Sequence, residues 1–197
     1  MPVATLTSRQ VNFGHGEHPN PKYLTVNPVG KIPSLKRLDG LVAIESAAIP
    51  LYLAELAPDR RLFPVAGNPT QPEALRWLSF MANDLYATMV INYHYDDFEA
   101  DGVGVPAPVR PKARHALANQ LAVLEKHALA DKTWINGARM GPLDIYAAMI
   151  LSWRPSTIDL GCDYPPLARQ EAAVWDYPLV DASFRKHQLA DPTSAAA

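Results

Sequence analysis

Asp39-Gly40, set between two short apolar runs at residues 32–35 and 41–44, constrains this chain more than any other feature. Asp-Gly between apolar segments is a strong hairpin signal, because glycine reaches the positive-φ conformation that a tight turn needs. The first run is entered through Pro33, and the second is followed at once by Glu45-Ser46. A helical pattern then begins, with Ile49, Leu51, Tyr52, Leu53 and Leu56. The order is loop, proline, hairpin, polar pair, helix.

That order has a chemical consequence. Ser46 falls where a helix starts, so its hydroxyl and the first free N–H groups lie at the positive end of the helix dipole. Such a place suits a carboxylate or a phosphate. Glu45 beside it can pair with an ammonium, so a ligand with an amino-acid end would be held at both charges. A cis proline ahead of a strand would expose the N–H and C=O of the residue before it, here Ile32, to an extended peptide. The sequence leaves the isomer of Pro33 open. A plainer reading stands beside this one: a serine after a hairpin is commonly a helix cap and nothing more.

The joint pattern Asn27-Pro28-x-Gly30-Lys31-Ile32-Pro33-x-Leu35, then Asp39-Gly40 and Glu45-Ser46-x-x-Ile49-x-x-Tyr52-Leu53, resembles the N-terminal half-site of the cytosolic glutathione transferases, most nearly a bacterial, beta-like class. The piece from Gly16-Glu17-His18 to Tyr23-Leu24 resembles the segment that precedes Asn-Pro in that family. The resemblance implies that Ile32, before a cis Pro33, pairs with the cysteinyl backbone of glutathione. It implies that Glu45 and Ser46 hold the γ-glutamyl end, with Lys31 near the glycine carboxylate. The fold it implies is α+β followed by α: a thioredoxin-like N-terminal domain that is incomplete here, then an all-helical domain. The family begins with a strand and a helix ahead of the segment matched by residues 3–13, and the turn after that strand carries the Tyr, Ser or Cys that activates the glutathione sulfur. Three accounts of their absence stand: the chain is a fragment, the first strand moves into the vacant place, or a partner supplies the missing one.

Composition narrows the classes. The chain has 197 residues, 48% of them hydrophobic, enough for one or two domains with a real core. A net charge of -2 argues against a nucleic-acid or membrane-surface role, both of which want a basic footprint. The single cysteine, Cys162, excludes a disulfide framework and a thiolate metal cluster, and it has no basic neighbours to make it a nucleophile. His15 and His18 lack further ligands at metal spacing, so no metal is expected. No apolar run approaches a membrane span and no secretory signal opens the chain, so a cytoplasmic location is expected.

The 19 prolines fall mostly between periodic segments. The expected organisation is a truncated thioredoxin-like glutathione-binding domain over 1–62, a linker over 63–69, an all-helical domain over 70–190 and a disordered tail over 191–197. A strand is expected over 3–13. Thr70-x-x-Glu73 reads as a capping box that opens a helix over 71–95. Leu75, Leu78, Ala82, Leu85, Met89 and Val90 form one apolar stripe on it, and Trp77, Phe80, Met81 and Thr88 a second surface. A helix apolar on two sides needs two partners, and the family places its equivalent at a dimer interface, so a C2 homodimer is expected. Tyr86 and Tyr93, seven apart, lie near one face and could line a pocket for a hydrophobic electrophile. Tyr86 is also the substitute for the sulfur-activating residue, although the resembled class has a His near that position. The cluster 93–97 reads as a solvated helix end and 99–111 as a loop, followed by a helix over 112–129. Asp144 reads as a structural cap at the start of a buried helix over 143–153, with Gly141 where the family has Ser or Thr. Two last helices are expected over 167–175 and 179–189.

Two functions follow. The first is a glutathione transferase-like enzyme that binds glutathione as co-substrate and adds its thiol to an electrophile or reduces a disulfide. The second is a catalytically silent relative that keeps the fold for dimerisation or interaction.

Overall fold

The computed structural model describes residues 7, 11, 20–93 and 109–186, with side chains 93, 110 and 184–186 outside the described set. All of the strand expected over 3–13 except residues 7 and 11, the histidines at 15 and 18, the cluster beyond Tyr93 and the tail lie outside the described residues. The chain divides into two compact units, Met1–Leu53 and Ala54–Ala197, so the break falls ahead of the expected linker and inside a helix.

In the first unit, helix α1 (Pro21–Leu24) is one turn, capped by Asn20, whose Oδ1 accepts from Lys22 N–H at 2.9 Å. Strands β1 (Ser34–Lys36) and β2 (Val42–Ile44) pair antiparallel, with Ser34 facing Ile44 and Lys36 facing Val42. Their loop is Leu38-Asp39-Gly40. Arg37 N–H donates to the Leu41 carbonyl at 2.8 Å and Gly40 N–H to the Arg37 carbonyl at 3.2 Å. Gly40 has φ +90°, which only glycine takes at no steric cost. A two-residue type I′ loop needs two such positions, whereas this three-residue loop needs only one, and Asp-Gly supplies it. Asp39 ties the turn further, accepting from Leu41 N–H and pairing with Arg37 at 2.7 Å. Arg37 also donates to Tyr52 Oη at 2.6 Å, which ties the hairpin to helix α2 (Ala48–Leu56).

The second unit is helical. Helix α3 (Gln71–Ser79) widens into a π turn (Phe80–Leu85) and returns to α geometry as α4 (Tyr86–Tyr93). Helix α5 (Val109–Val123) likewise ends in a π turn (Leu124–Leu129). Helices α6 (Pro142–Leu151), α7 (Leu160–Asp163), α8 (Pro165–Trp175) and α9 (Pro178–Lys186) follow. α6 packs against α3, the first π turn and α8. Leu143, Ala147, Ala148, Ile150 and Leu151 on it are fully buried, each large one worth about 1.5–3 kcal/mol of transfer free energy.

Two expectations are corrected here. The Thr70 hydroxyl does not cap α3: it donates to Asn68 Oδ1 at 2.8 Å, and Thr70 N–H goes to the same oxygen at 2.9 Å. An asparagine two residues earlier offers a closer acceptor, so Glu73 is released to accept from Trp77 Nε1 at 2.7 Å. The two apolar surfaces of the long helix also merge. Trp77 and Met81 from one, and Leu78, Leu85 and Met89 from the other, are all buried within this unit, while Leu75 is 39% exposed. The π turn changes the phase of the residues after it, which a fixed 3.6-residue period does not anticipate.

Asp144 sits at the foot of α6. Its carboxylate accepts from Gly141 N–H at 2.8 Å and from Ile135 N–H at 2.8 Å. Gln170, buried on α8, donates to the Asp144 carbonyl at 3.1 Å. Burial pushes the Asp144 carboxyl above its ordinary range, and the Ile135 and Gly141 N–H groups pull it part of the way back. On α8, buried Glu171 receives Arg154 Nη1 at 2.9 and 3.0 Å; burial raises its carboxyl too, opposed by the Arg154 charge.

Candidate functional site

Lys31, Ile32, Pro33, Glu45 and Ser46 all lie in the first unit, at one end of the hairpin. The strand pairing ends with Ser34 facing Ile44, so Ile32-Pro33 enters β1 at the same end of the hairpin at which β2 runs into Glu45-Ser46. The Ile32-Pro33 peptide bond is cis. Ile32 is 48% exposed, and among the described residues neither its N–H nor its carbonyl has a hydrogen-bond partner. An open main-chain donor and acceptor beside a strand end can accept one more extended segment.

The loop that delivers Ile32 is wired tightly. Asn27 is 2% exposed, and its Nδ2 donates to the Lys31 carbonyl at 2.6 Å while its Oδ1 accepts from Val29 N–H at 3.0 Å. Tyr23 Oη donates to the same Lys31 carbonyl at 2.7 Å and shares a hydrogen bond with Ser34 Oγ at 2.9 Å. Gly30 closes the turn at φ +68°, its N–H on the Asn27 carbonyl at 2.9 Å. Both donors go to the Lys31 carbonyl, which fixes the peptide ahead of Ile32. These positioning roles of Asn27 and Tyr23 were not read from the sequence. The available signal was a polar Asn held between apolar Val26 and a proline, followed by a glycine three residues on.

Glu45 lies at φ +75°, outside glycine's exclusive use but costly for a residue with a Cβ, on the order of 1–3 kcal/mol. Its carbonyl accepts from both Ala48 and Ile49 N–H at 3.1 Å. Glu45 therefore closes the turn that leads into α2, and Ser46 lies in that turn ahead of the helix, half-buried. The backward turn of Glu45 keeps its side chain exposed beside that turn. A carboxylate, a hydroxyl and the start of a helix thus follow β2 at the end of the hairpin that Ile32 and Pro33 enter. The arrangement can hold an ammonium, a carboxylate and a peptide unit together.

Tyr86 lies in the second unit, at the start of α4 and 37% exposed, its ring edge-on to Trp153 at 5.6 Å. The backbone of Tyr93 ends α4, and its side chain lies outside the described residues. Cys162 is exposed in α7, where hydrogen bonding to Asp159 raises its thiol above the ordinary value, the opposite of an activated nucleophile. Among the described residues there is no cluster of metal-ligating side chains, and no helix is long and apolar enough to cross a membrane.

Residues 6–61 match the sequence profile of the family described as glutathione S-transferase, N-terminal domain. A glutathione S-transferase, GstA, of Escherichia coli O157:H7 is 30% identical over 131 residues, which is 66% of this chain and 61% of that protein. The chain thus spans about three fifths of that curated relative's length. The structure of a bacterial beta-class glutathione S-transferase from Sphingomonas chungbukensis superposes with a TM-score of 0.71 at 30% identity, over 85% of this chain and 79% of that one. A sphingomonad glutathione S-transferase complexed with glutathione superposes with a TM-score of 0.70 at 29% identity, over the same 85% and 79%.

Proposed function

Since the chain belongs to the glutathione S-transferase family, we propose that it binds glutathione and adds the thiol to an electrophilic small molecule or uses it to reduce a disulfide. The observation that carries this reading is the exposed Ile32 before a cis Pro33, at the end of the hairpin where β2 runs into Glu45 and Ser46. In this reading the Ile32 N–H and C=O pair with the cysteinyl unit of glutathione. The γ-glutamyl carboxylate meets the Ser46 hydroxyl and the first turn of α2, where the helix dipole favours an anion. The γ-glutamyl ammonium meets Glu45, and Lys31 serves the glycine carboxylate.

Held at both ends, the tripeptide presents its sulfur in one place. Proximity then supplies much of the rate, and a donor at the sulfur supplies the rest by favouring thiolate. Tyr86 is the hydroxyl assigned to that task, with Tyr93 for the hydrophobic electrophile. A homodimer in the cytoplasm belongs to the same proposal.

Retention of the full chain on glutathione-agarose, elution by free glutathione, and a thiol-conjugation assay with a chlorodinitrobenzene test the reading. Retention with turnover supports it. Retention without turnover leaves a silent ligand-binding module, and failure to be retained removes glutathione from the account altogether.

A further inference from the structure

The second unit holds a cleft of ≈ 420 Å³ between segment 58–68 and loop 136–141, and none of its lining residues is among those assigned to glutathione. Clefts of about 300–1,000 Å³ take small molecules. Two arginines line it, Arg61 and Arg139, and no carboxylate does. In a chain of net charge -2, that is a local reversal. Among the described residues neither guanidinium is ion-paired. Arg139 Nη2 donates instead to the Arg61 carbonyl at 3.0 Å, across a separation of 78 residues, and this bond brings the two arginines to one wall.

Arg61 itself stands in the left-handed region, φ 49° and ψ 44°, where a side chain is disfavoured. Backbone strain of this kind collects at binding sites. Both arginines are exposed and both line the cleft. Asn68 spends its Oδ1 on Thr70, which leaves its amide donor end. Asn136 adds another amide, and Phe63 and Met140 supply apolar surface. The lining is rich in donors, carries two positive charges and includes apolar residues.

We propose that this cleft binds an organic phosphate monoester, its head between Arg61 and Arg139 and its apolar body against Phe63 and Met140. A phosphate monoester carries a charge of about -1.5 to -2 at neutral pH and matches two guanidiniums. A carboxylate would leave one of them unneutralised.

Phenyl phosphate titrated into the full chain by calorimetry tests this, with phenylacetate, inorganic phosphate and phenol as parallel arms and glutathione titrated separately. The expected result is saturable one-to-one binding of phenyl phosphate with a Kd under about 1 mM. Phenylacetate and inorganic phosphate bind more weakly, phenol does not bind, and added salt weakens the interaction. Arg61→Gln and Arg139→Gln each weaken it about ten-fold or more, as loss of a charged hydrogen-bonding group does. Arg61→Gln decides the matter if Arg139→Gln lowers the melting temperature, because the Arg61 side chain makes no hydrogen bond among the described residues. Absence of saturation at 10 mM, or a Kd that neither substitution changes, overturns the proposal. Glutathione binding that persists alongside such a failure leaves the reading of the first unit intact.

Discussion

Replacing Asp144 with alanine removes a buried acceptor that two main-chain donors share. The carboxylate is fully buried and accepts two main-chain N–H groups, those of Ile135 and Gly141, each at 2.8 Å. Truncation leaves both donors without a partner. Each such loss costs about 1–3 kcal/mol. The helix also loses its negative charge at the N-terminus, about 0.3–1 kcal/mol. Against this stands relief of a buried charge, since desolvation holds the carboxyl above its usual range. The net expectation is a loss of about 3–5 kcal/mol, a large part of the 5–15 kcal/mol that a domain typically has. Urea unfolding followed by circular dichroism at 222 nm measures it, provided the m-value is unchanged. Asp144→Asn keeps one acceptor oxygen and turns an amide towards the other N–H, so about half the loss is expected. A loss below about 1 kcal/mol for the alanine variant would mean that water or another acceptor satisfies Ile135 and Gly141, and the role given to Asp144 would be wrong.

Other outcomes follow from the same bonds. Asn27→Ala removes the Nδ2 donor from the Lys31 carbonyl, so glutathione affinity should fall about ten-fold, with a stability loss of only about 1–2 kcal/mol, measured by calorimetry and urea titration. Arg154→Met leaves buried Glu171 facing no cation, which should cost about 3–5 kcal/mol in urea unfolding, while the double variant with Glu171→Leu recovers much of the loss. The folded-state carboxyl of Asp144 is raised, so the folded protein binds more protons than the unfolded chain above pH 3.8. The stability advantage of the wild type over Asp144→Asn should therefore widen as the pH is lowered from neutrality towards 3.8, and a gap that narrows would reverse the sign.

Patterns that depend on neighbours along the chain were legible. Asp39-Gly40 marked the hairpin because one glycine at positive φ is what its loop needs, and the apolar surround of Asp144 marked a buried helix. The position of Glu45-Ser46 directly after the hairpin was legible too, because strand register follows from the turn. What one dimension hid were choices between competing partners. Thr70 had Asn68 closer to hand than its own helix, so its cap was not made. The π turn at Phe80–Leu85 gathered two apolar surfaces into one, which a fixed period divides. The positive φ of Glu45 and the double anchoring of the Lys31 carbonyl depend on a loop closing in three dimensions, and no local residue preference marks them.

The cradle itself is tested most directly by amide chemical shifts, recorded on the ¹⁵N-labelled full chain during a glutathione titration. The account predicts that the amides of Ile32, Ser46 and Ala47 move furthest and saturate together, because one ligand meets the open main chain and the first turn of α2 at once. Saturating shifts confined to other residues, with the Ile32 amide unmoved, would contradict it.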